Sequence, residues 1–324
     1  MAVTVQAHPS LALAKYWGKQ RQSAGGRELN PNLPATPSVA VTLAGLVTRT
    51  TVRVADTDTI VLNGQPQLVE RYTPVLDALR SATERDVSFH IESTNSFPTA
   101  AGLASSAAGF AALVSAALRE VTGDAPADQV SQIARIGSGS ACRSAFGGFT
   151  RWDAGALSAR QIASAAWWPE FRVVVLPVTG GAKEISSRDG MNRTRDTSPY
   201  YQPWIDDAPT VADEVEAAVL SRDIERLGDA ARISYMRMFG TMLGAHPPIL
   251  YWLPQSVHII RELEAMRRQG VPVWETMDAG PQVKVITLEE HASDVAERFS
   301  DITAAPPVLC AVGSAPYTIE PTNG

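Results

Sequence analysis

The sequence predicts an α+β protein with two lobes. Alternating, β-branched segments are frequent before residue 100, and one long Ala/Leu-rich helical segment follows within Ser96–Glu120. Beyond Ser198 the chain is mainly helical, with two or three strand-like segments between the helices. A chain of 324 residues can form one large or two modest domains. We therefore expect an N-terminal lobe over residues 1–180 and a C-terminal lobe over 181–324.

The N-terminal half contains most of the predicted strands. Alternation of apolar and polar residues, together with β-branched side chains, predicts strands at residues 2–6, 39–54, 87–91 and 149–152. Asn63-Gly64 indicates a hairpin turn. Helical spacing of apolar residues predicts a helix over Gln67–Ala82, and Asp124 with Pro126 begins a further helix that ends near Gly137.

The C-terminal half begins with a continuous apolar segment, Phe171–Val178, which predicts a buried strand. No helix or strand is assigned to His8–Lys19 or to Gly181–Thr194. Pro254 marks the start of one helix, because proline is tolerated in a first helical turn and disfavoured in a helix interior. The remaining predicted elements are helices at 208–220, 223–243, 254–269 and 289–299 and strands at 271–274, 283–288 and 306–312.

Composition and charge exclude several functional classes. The net charge of −6 gives no electrostatic basis for binding nucleic acid. No segment approaches the ~18 apolar residues of a membrane span, and the N-terminus lacks a basic-then-apolar signal pattern. Cys142 and Cys310 are therefore expected to be reduced thiols in a cytoplasmic protein. Five scattered histidines and no Cys/His cluster argue against structural zinc.

A small-residue loop, Ala100–Ser106, opens directly into the central helix. Such a loop exposes backbone N–H groups at the positive end of a helix dipole, where phosphate binds readily. The same residues could instead serve tight helix packing, and the two explanations remain equally open from the residues alone. Neither GxxxxGK[ST] nor GxGxxG is present here, so a phosphate site depends on the segments that accompany this loop.

Four distant segments combine small residues with donors suited to anions, and a fifth carries a lone carboxylate, Asp278, in a Gly-Pro turn. Each alone has an ordinary explanation as a solvated turn or a loop, and a turn aspartate commonly hydrogen-bonds its own backbone. Together they supply phosphate-binding donors and one group that would accept a hydroxyl proton or help to hold a metal, as phosphoryl transfer requires. The segments are Lys15–Lys19, Thr99–Ser106, Ser138–Arg143, Lys183–Arg188 and Met277–Pro281.

In order and spacing, five segments of the chain resemble those of the diphosphomevalonate decarboxylase family. This family belongs to the superfamily of galactokinase and the homoserine, mevalonate and phosphomevalonate kinases (GHMP). The resemblance covers nearly the whole chain, and the GSGSACRS and DAGP sequences single out the decarboxylase branch. The five segments are AKYWGK, FPTAAGLASSAAG, ARIGSGSACRSAFGGF, SSRDGMNRT and MDAGPQVK.

The resemblance implies a GHMP kinase-like fold, with an N-terminal lobe like domain 2 of ribosomal protein S5, a ferredoxin-like α+β C-terminal lobe and a deep cleft. It implies an ATP-binding N-terminal lobe, ATP and Mg²⁺ as cofactors, and a cytoplasmic homodimer. It also implies the reaction: phosphorylation of the 3-hydroxyl of mevalonate 5-diphosphate, followed by loss of phosphate and CO₂ to give isopentenyl diphosphate in isoprenoid biosynthesis.

The resemblance also assigns roles to residues of this chain. Asp278 matches the catalytic aspartate, as base or orienting group, and Lys19 matches a lysine near the transferred phosphate. Ser106 matches a position near the metal. The residues matching substrate-binding positions are Tyr16, Ser138, Ser140, Arg143, Lys183 and Arg188, and those matching the ATP phosphate loop are Ala101, Gly102, Leu103, Ala104, Ser105 and Ser106.

Two departures from the family pattern concern the substrate. Ser10 stands where the family usually has asparagine, and Thr36-Pro37 replaces Asn-Ser. A relative that acts on mevalonate 5-phosphate and gives isopentenyl phosphate would carry a similar core, and so would a kinase that stops after phosphorylation. A binding protein without activity is disfavoured because Asp278, Lys19 and Arg143 are all present.

Overall fold

A computed structural model of the chain describes residues 2–20, 32–97, 105–179, 181 and 184–320, with only the backbone of two short strands between residues 21 and 31. The strands are β1 (Ala2–Ala7), β2 (Ser10–Ala14), β3 (Ser23–Ala24), β4 (Arg27–Glu28), β5 (Ser38–Thr42), β6 (Thr48–Ala55), β7 (Thr59–Leu62), β8 (Gln65–Pro66), β9 (Ser88–Asn95), β10 (Phe149–Trp152), β11 (Arg160–Ala163), β12 (Phe171–Leu176), β13 (Trp274–Met277), β14 (Val283–Leu288), β15 (Val308–Cys310) and β16 (Tyr317–Thr318). The helices are α1 (Thr73–Thr83), α2 (Ser105–Thr122), α3 (Ala127–Gly137), α4 (Ala141–Ser144), α5 (Ser187–Thr197), α6 (Tyr201–Ser221), α7 (Ile224–Leu243), α8 (Pro254–Arg268) and α9 (Glu289–Phe299), with 3₁₀ turns at Val69–Arg71 and Ser300–Ile302.

The first sheet has the strand order β16-β1-β6-β9-β7-β8, and only β7 and β9 pair in parallel. β6 alternates as the sequence predicts, since Val52 is buried while Arg49 and Arg53 are exposed. Helix α2 packs against β1 and β6, and its residues from Ala107 to Leu118 are mostly buried. The small side chains of α2 allow this close contact with the sheet.

The second sheet has the order β11-β10-β5-β2 and lies deep in the molecule. Every residue of β2 and β5 is buried, because α4, α6 and α7, which come from both halves of the chain, pack on these strands. A strand that is buried on both faces tends to have a continuous run of apolar residues rather than alternating apolar and polar residues. This packing brings the residues that follow β2 next to the C-terminal helices.

The third sheet has the order β13-β14-β12-β15 and is antiparallel throughout. Its core includes Val173 and Val175 of β12, which are fully buried. Helices α7, α8 and α9 pack against its strands. Asp278 comes directly after β13, so this sheet positions the predicted catalytic carboxylate.

The predicted α+β class is confirmed, and most elements lie where the sequence places them. Helices α2, α3, α7, α8 and α9 and strands β10, β12 and β14 agree within a few residues with their predictions. None of the described helices is long and apolar enough to cross a membrane.

Other elements differ from prediction because tertiary packing outweighs local signals. No element was expected at β2 or α5, yet β2 is a fully buried strand and α5 is capped by the Ser186 hydroxyl, which accepts from the Asp189 N–H. α6 begins at Tyr201 rather than residue 208 and runs through Pro209, with Trp204 buried in its added first turns.

The predicted strand at residues 271–274 is shifted to Trp274–Met277. The cause is register: Trp274 pairs with Ile286 and Met277 with Val283 on β14. Helix α1 also starts later than predicted, at Thr73 rather than Gln67. A 3₁₀ turn at Val69–Arg71 precedes it.

Candidate active site

One carboxylate with two lysines forms the centre of the site. Asp278 follows β13, Lys15 follows β2, and Lys284 lies on β14, the neighbour of β13. The Lys15 Nζ donates to Asp278 Oδ1 at 2.9 Å, and the Lys284 Nζ is 3.5 Å from Asp278 Oδ2. Both lysine side chains are almost fully buried, whereas 30% of the Asp278 side chain is exposed. A partly accessible carboxylate is therefore held by two buried cations.

The charges in this cluster shift the pKa values of its members. Burial alone would raise the pKa of Asp278, but Lys15, Lys284 and Arg143 outweigh this effect and hold it at about 2. For Lys15, burial dominates and lowers its pKa to about 8, although the nearby carboxylate opposes the shift. At neutral pH Asp278 is an anion and Lys15 is mostly an ammonium close to its titration range.

Backbone contacts aim Lys15 at the carboxylate. Its N–H donates to the Ser234 hydroxyl on α7 at 2.9 Å, and its Nζ donates to the Ala12 carbonyl at 2.6 Å. The ammonium group is thus anchored to β2 on one side and to the carboxylate on the other. This placement depends on the packing of α7 against β2.

Arg143 contributes a second cation from α4. It is 2% exposed, and its Nη1 donates to the Ser38 hydroxyl at 2.7 Å. Its Nε finds no hydrogen-bond partner among the described residues. Burial lowers the pKa of this guanidinium. A buried guanidinium with spare donors is suited to an anionic ligand, which would complete its hydrogen bonds.

Lys19 is held by an asparagine with a special backbone conformation. The Lys19 Nζ donates to Asn32 Oδ1 at 2.6 Å, and the Asn32 amide donates to the carbonyls of Arg135 and Ile136 at 2.9 Å. Asn32 has a φ of 65°, a left-handed conformation that asparagine adopts more readily than most residues. Tyr16 donates to the Asn32 carbonyl at 3.4 Å, so Asn32 links the C-terminal end of α3 to the loop after β2.

Two residues that depart from the family pattern, Ser10 and Thr36, are both buried. The Ser144 hydroxyl donates to Ser10 Oγ at 3.2 Å, so this buried contact joins α4 to β2. Thr36 is fully buried, and its hydroxyl has no hydrogen-bond partner in the described part of the chain. Ser38 is therefore the hydroxyl that accepts from the Arg143 guanidinium, and Ser10 contacts Ser144, the residue after Arg143.

A cluster of hydroxyls lies where α2 and the loop after α3 meet. Ser106 Oγ is 3.1 Å from Ser138 Oγ, which is 3.3 Å from Ser140 Oγ. Gly139 is required between these serines, because a Cβ there would be 2.5 Å from the Tyr16 hydroxyl oxygen. The serines and the aromatic ring are therefore fixed relative to each other.

One cleft of about 1910 Å³ is lined by Asp278, Lys15, Arg143 and Lys19 and by the three serines. A pocket for a single small ligand is commonly ~300–1,000 Å³, so this cleft has room for a nucleotide and a second substrate. One part of the lining is apolar and includes Ile60, Tyr72 and Phe110, whereas the other carries the hydroxyls and charges. The predicted site residues that line it are Tyr16, Lys19, Ser105, Ser106, Ser138, Ser140, Arg143, Arg188 and Asp278.

The structure thus brings together residues that are far apart in sequence, with Arg188 at the exposed end of α5. The predicted residues Ala101, Gly102, Leu103, Ala104 and Lys183 lie outside the described residues.

The sequence reasoning missed two members of the cluster. Lys15 was considered only as part of a polar-aromatic segment, and Lys284 was not singled out. A signal existed for Lys284, since a lysine inside the apolar run VKVITL is rarely buried without a partner. Asn32 and Ser38 were also not singled out, and no local pattern marks them.

Two family models together match most of the chain. One describes the diphosphomevalonate decarboxylase-like N-terminal domain and matches residues 7–163. The other describes the mevalonate 5-diphosphate decarboxylase C-terminal domain and matches residues 173–310.

Individual relatives agree with these models over nearly their full lengths. A diphosphomevalonate decarboxylase from Candida albicans is 36% identical over 90% of this chain and 86% of its own. A crystal structure of mevalonate diphosphate decarboxylase from Staphylococcus aureus is 31% identical, with a TM-score of 0.90 over 98% of each chain. A structure described as MDDEF in complex with MVAPP, AMPPCP and magnesium is 35% identical, with a TM-score of 0.88 over 99% of each chain.

Proposed function

Because the chain belongs to the diphosphomevalonate decarboxylase family, we propose that it catalyses the ATP-dependent decarboxylation of mevalonate 5-diphosphate. The products are isopentenyl diphosphate, ADP, phosphate and CO₂. The observation that carries the proposal is the joining, in one cleft, of the Asp278 cluster, the Arg143 guanidinium and the Ser106–Ser138 hydroxyls. A relative whose structure was solved with MVAPP, AMPPCP and magnesium supports the choice of ligands.

The reaction has a coherent electron balance. Transfer of the γ-phosphoryl group to the 3-hydroxyl turns a poor leaving group into a good one. When that phosphate leaves with the electrons of its C–O bond, positive charge develops at C3. The C–C bond to the carboxylate then breaks, its electrons form the new double bond, and CO₂ departs.

Asp278 orients the 3-hydroxyl and receives its proton. An efficient general base has a pKa near the working pH, whereas the pKa of Asp278 is held at about 2. Its main contribution is therefore alignment of the hydroxyl with the phosphoryl group, and proton transfer follows late, as the new P–O bond forms. The Lys15 ammonium beside it stabilises the negative charge of the carboxylate.

Arg143 binds the substrate carboxylate. Its buried guanidinium has donors that are not used within the described residues, and an ionised carboxylate matches their fork geometry. Lys19, held by Asn32, lies on the same cleft and would contact the transferred phosphate, with Tyr16 next to it. Holding the carboxylate at a fixed angle to C3 favours the C–C bond cleavage.

Other hydroxyls and cations are proposed to bind the remaining phosphates. Ser138, Ser140, Arg188 and Lys183 are proposed for the diphosphate end of the substrate. The apolar part of the cleft suits a nucleotide base, whose phosphates would meet Ser105, Ser106 and the Ala101–Ala104 segment.

Mg²⁺ fits this arrangement through Ser106. Among the described residues no three His, Cys, Asp or Glu side chains form a metal site. Mg²⁺ commonly uses one or two protein oxygens together with phosphates and waters, and the Ser106 hydroxyl beside Ser138 can supply such an oxygen. When bound, the ion neutralises charge on the phosphate oxygens.

Three further features belong to the same proposal. The lobes divide at residue 180, with 1–180 binding ATP, although β12, at residues 171–176, pairs with strands of the C-terminal half. The enzyme works as a homodimer, which light scattering of the purified protein tests. It acts in the cytoplasm.

A parallel assay tests the proposed substrate. ATP-dependent CO₂ release is measured with the 5-diphosphate and with the 5-phosphate of mevalonate, because Ser10 and Thr36-Pro37 depart from the family pattern. We expect a higher kcat/KM with the diphosphate. A higher value with the monophosphate would assign the enzyme to mevalonate 5-phosphate, and ADP formation without CO₂ would make it a kinase.

A further inference from the structure

Lys284 is a buried cation that the reaction as proposed above does not use. It lies on β14 and pairs with Thr276 of β13, and Thr276 is two residues before Asp278 in the chain. The side chain of Lys284 is 4% exposed. Removing an ammonium group from water is costly unless an anion or strong acceptors compensate. The Asp278 carboxylate, 3.5 Å away, is such an anion.

Lys284 is separated from the substrate. Lys15 and Asp278 line the large cleft, and Lys284 is not among the described residues that line it. It borders instead a separate cavity of about 10 Å³ with Ser10 and Asp278, which is no larger than one water molecule requires. Its nearest route to the reaction is therefore the Asp278 carboxylate, which lines both the cleft and this small cavity.

We propose that Lys284 is a positioning residue, which holds Asp278 Oδ2 while Lys15 holds Oδ1, and so fixes the plane of the carboxylate relative to the 3-hydroxyl. A carboxylate with one partner can rotate about its last bond, whereas contacts on both oxygens fix that angle. Rotation would misdirect the oxygen that meets the hydroxyl, and a misplacement of ~1 Å can reduce a rate by about 10²-fold.

The same arrangement sets how Asp278 titrates. The charged groups that face it are Lys15 from the segment after β2, Lys284 from β14 and Arg143 from α4. Each favours the anion, so the loss of one raises the pKa of Asp278 toward its ordinary value. The activity of a variant without the Lys284 charge should consequently begin to fall at a higher pH as the solution is acidified.

The test compares Lys284→Met, Lys284→Arg and Thr276→Val with the wild-type enzyme. Thr276 is a matched control, because it is buried opposite Lys284 and its hydroxyl has no hydrogen-bond partner within the described ranges. Steady-state kinetics give kcat and KM across pH, thermal unfolding checks the fold, and ¹³C NMR of labelled aspartate follows the carboxylate of Asp278 without any substrate.

We expect Lys284→Met to lower kcat by about 10²-fold with little change in KM. The acid limb of its kcat–pH profile and the NMR titration of Asp278 should both move to higher pH. Lys284→Arg should restore most of the activity, and Thr276→Val should behave as wild type. A folded Lys284→Met enzyme with wild-type kcat and an unmoved Asp278 titration would overturn the proposal, and so would a loss confined to KM.

The kinetic part rests on the proposed function, and the two can fail separately. A wild-type enzyme that is inactive on both mevalonate phosphates would refute the proposed reaction. The NMR titration would still decide whether Lys284 controls Asp278.

Discussion

At the scale of single residues, the carboxylate of Asp278 lies close to several cations, and contacts with its neighbours explain its ionisation. Three cations hold Asp278 ionised against the effect of burial. Arg143 keeps unused donors in a buried position, which an anionic ligand would satisfy. The site is therefore arranged for a substrate that brings its own negative charges.

Replacing Asp278 with asparagine should reduce turnover by about 10²–10⁴-fold, because the group proposed to align the hydroxyl and take its proton is lost. ATP binding, followed by calorimetry, should change little. Asp213→Asn is the control, since Asp213 on α6 is an exposed partner of Arg151 on β10. If Asp278→Asn turns over like Asp213→Asn, Asp278 has no part in the reaction.

Replacing Arg143 with glutamine should lower kcat/KM for the mevalonate substrate by about 10²-fold, because charge-assisted hydrogen bonds to its carboxylate are lost. Binding of ATP alone should be nearly unaffected. Initial rates at varied concentrations of each substrate separate these effects. An unchanged KM and turnover would remove Arg143 from the carboxylate site.

The pKa of about 8 for Lys15 predicts an alkaline limit to activity. Below this pH the ammonium supports Asp278, and as the pH rises through about 8 the proton leaves and activity should fall. Lys15→Arg keeps its charge at higher pH, so the alkaline limb of its kcat–pH profile should move to higher pH even if its maximal rate is lower. The measurement is kcat against pH for both enzymes, and an unmoved limb in Lys15→Arg would contradict this assignment.

At the scale of elements, α7 positions β13, the strand that precedes Asp278. Gly228 of α7 lies against Trp274 of β13, and a Cβ at Gly228 would be 2.1 Å from the indole ring. The same helix provides Ser234 for the Lys15 backbone. Trp274 also donates to Asp229, so the contact between α7 and β13 is fixed at two points.

Gly228→Ala should therefore lower the free energy of unfolding by about 1–3 kcal/mol, since the added methyl group overpacks the contact. Gly240→Ala is the matched control on the same helix, because a Cβ there meets no described atom within 4 Å. Alanine at this position should instead stabilise the helix by up to ~1 kcal/mol. Chemical denaturation measures the free energy of unfolding of both variants. Equal changes in the two would contradict the importance of the contact between Gly228 and Trp274.

Elements also show what the sequence can predict. The long helix α2 and the helices α7 and α9 follow from apolar spacing, which depends only on neighbours along the chain. β2 could not be predicted in the same way. Its residues are buried by α4, α6 and α7, and that contact is a property of the assembled molecule.

At the scale of the whole molecule, the site is made by bringing five distant segments to one cleft. The order of these segments carries the family resemblance, so the sequence could predict that Asp278, Arg143 and Lys19 lie together at a cleft. It could not predict the positions of Lys284 and Asn32, which depend on strand pairing and on a left-handed turn. Of the two departures from the family pattern, Ser10 lines the cleft and contacts Ser144, and Thr36 is fully buried.

The central claim is that this cleft couples phosphoryl transfer to decarboxylation. The direct measurement is the ratio of CO₂ to ADP formed from mevalonate 5-diphosphate labelled at its carboxyl carbon, with mass spectrometry of the remaining product. The account predicts equal amounts of CO₂ and ADP and isopentenyl diphosphate as the product. ADP without CO₂, with accumulation of a 3-phosphorylated mevalonate 5-diphosphate, would contradict it.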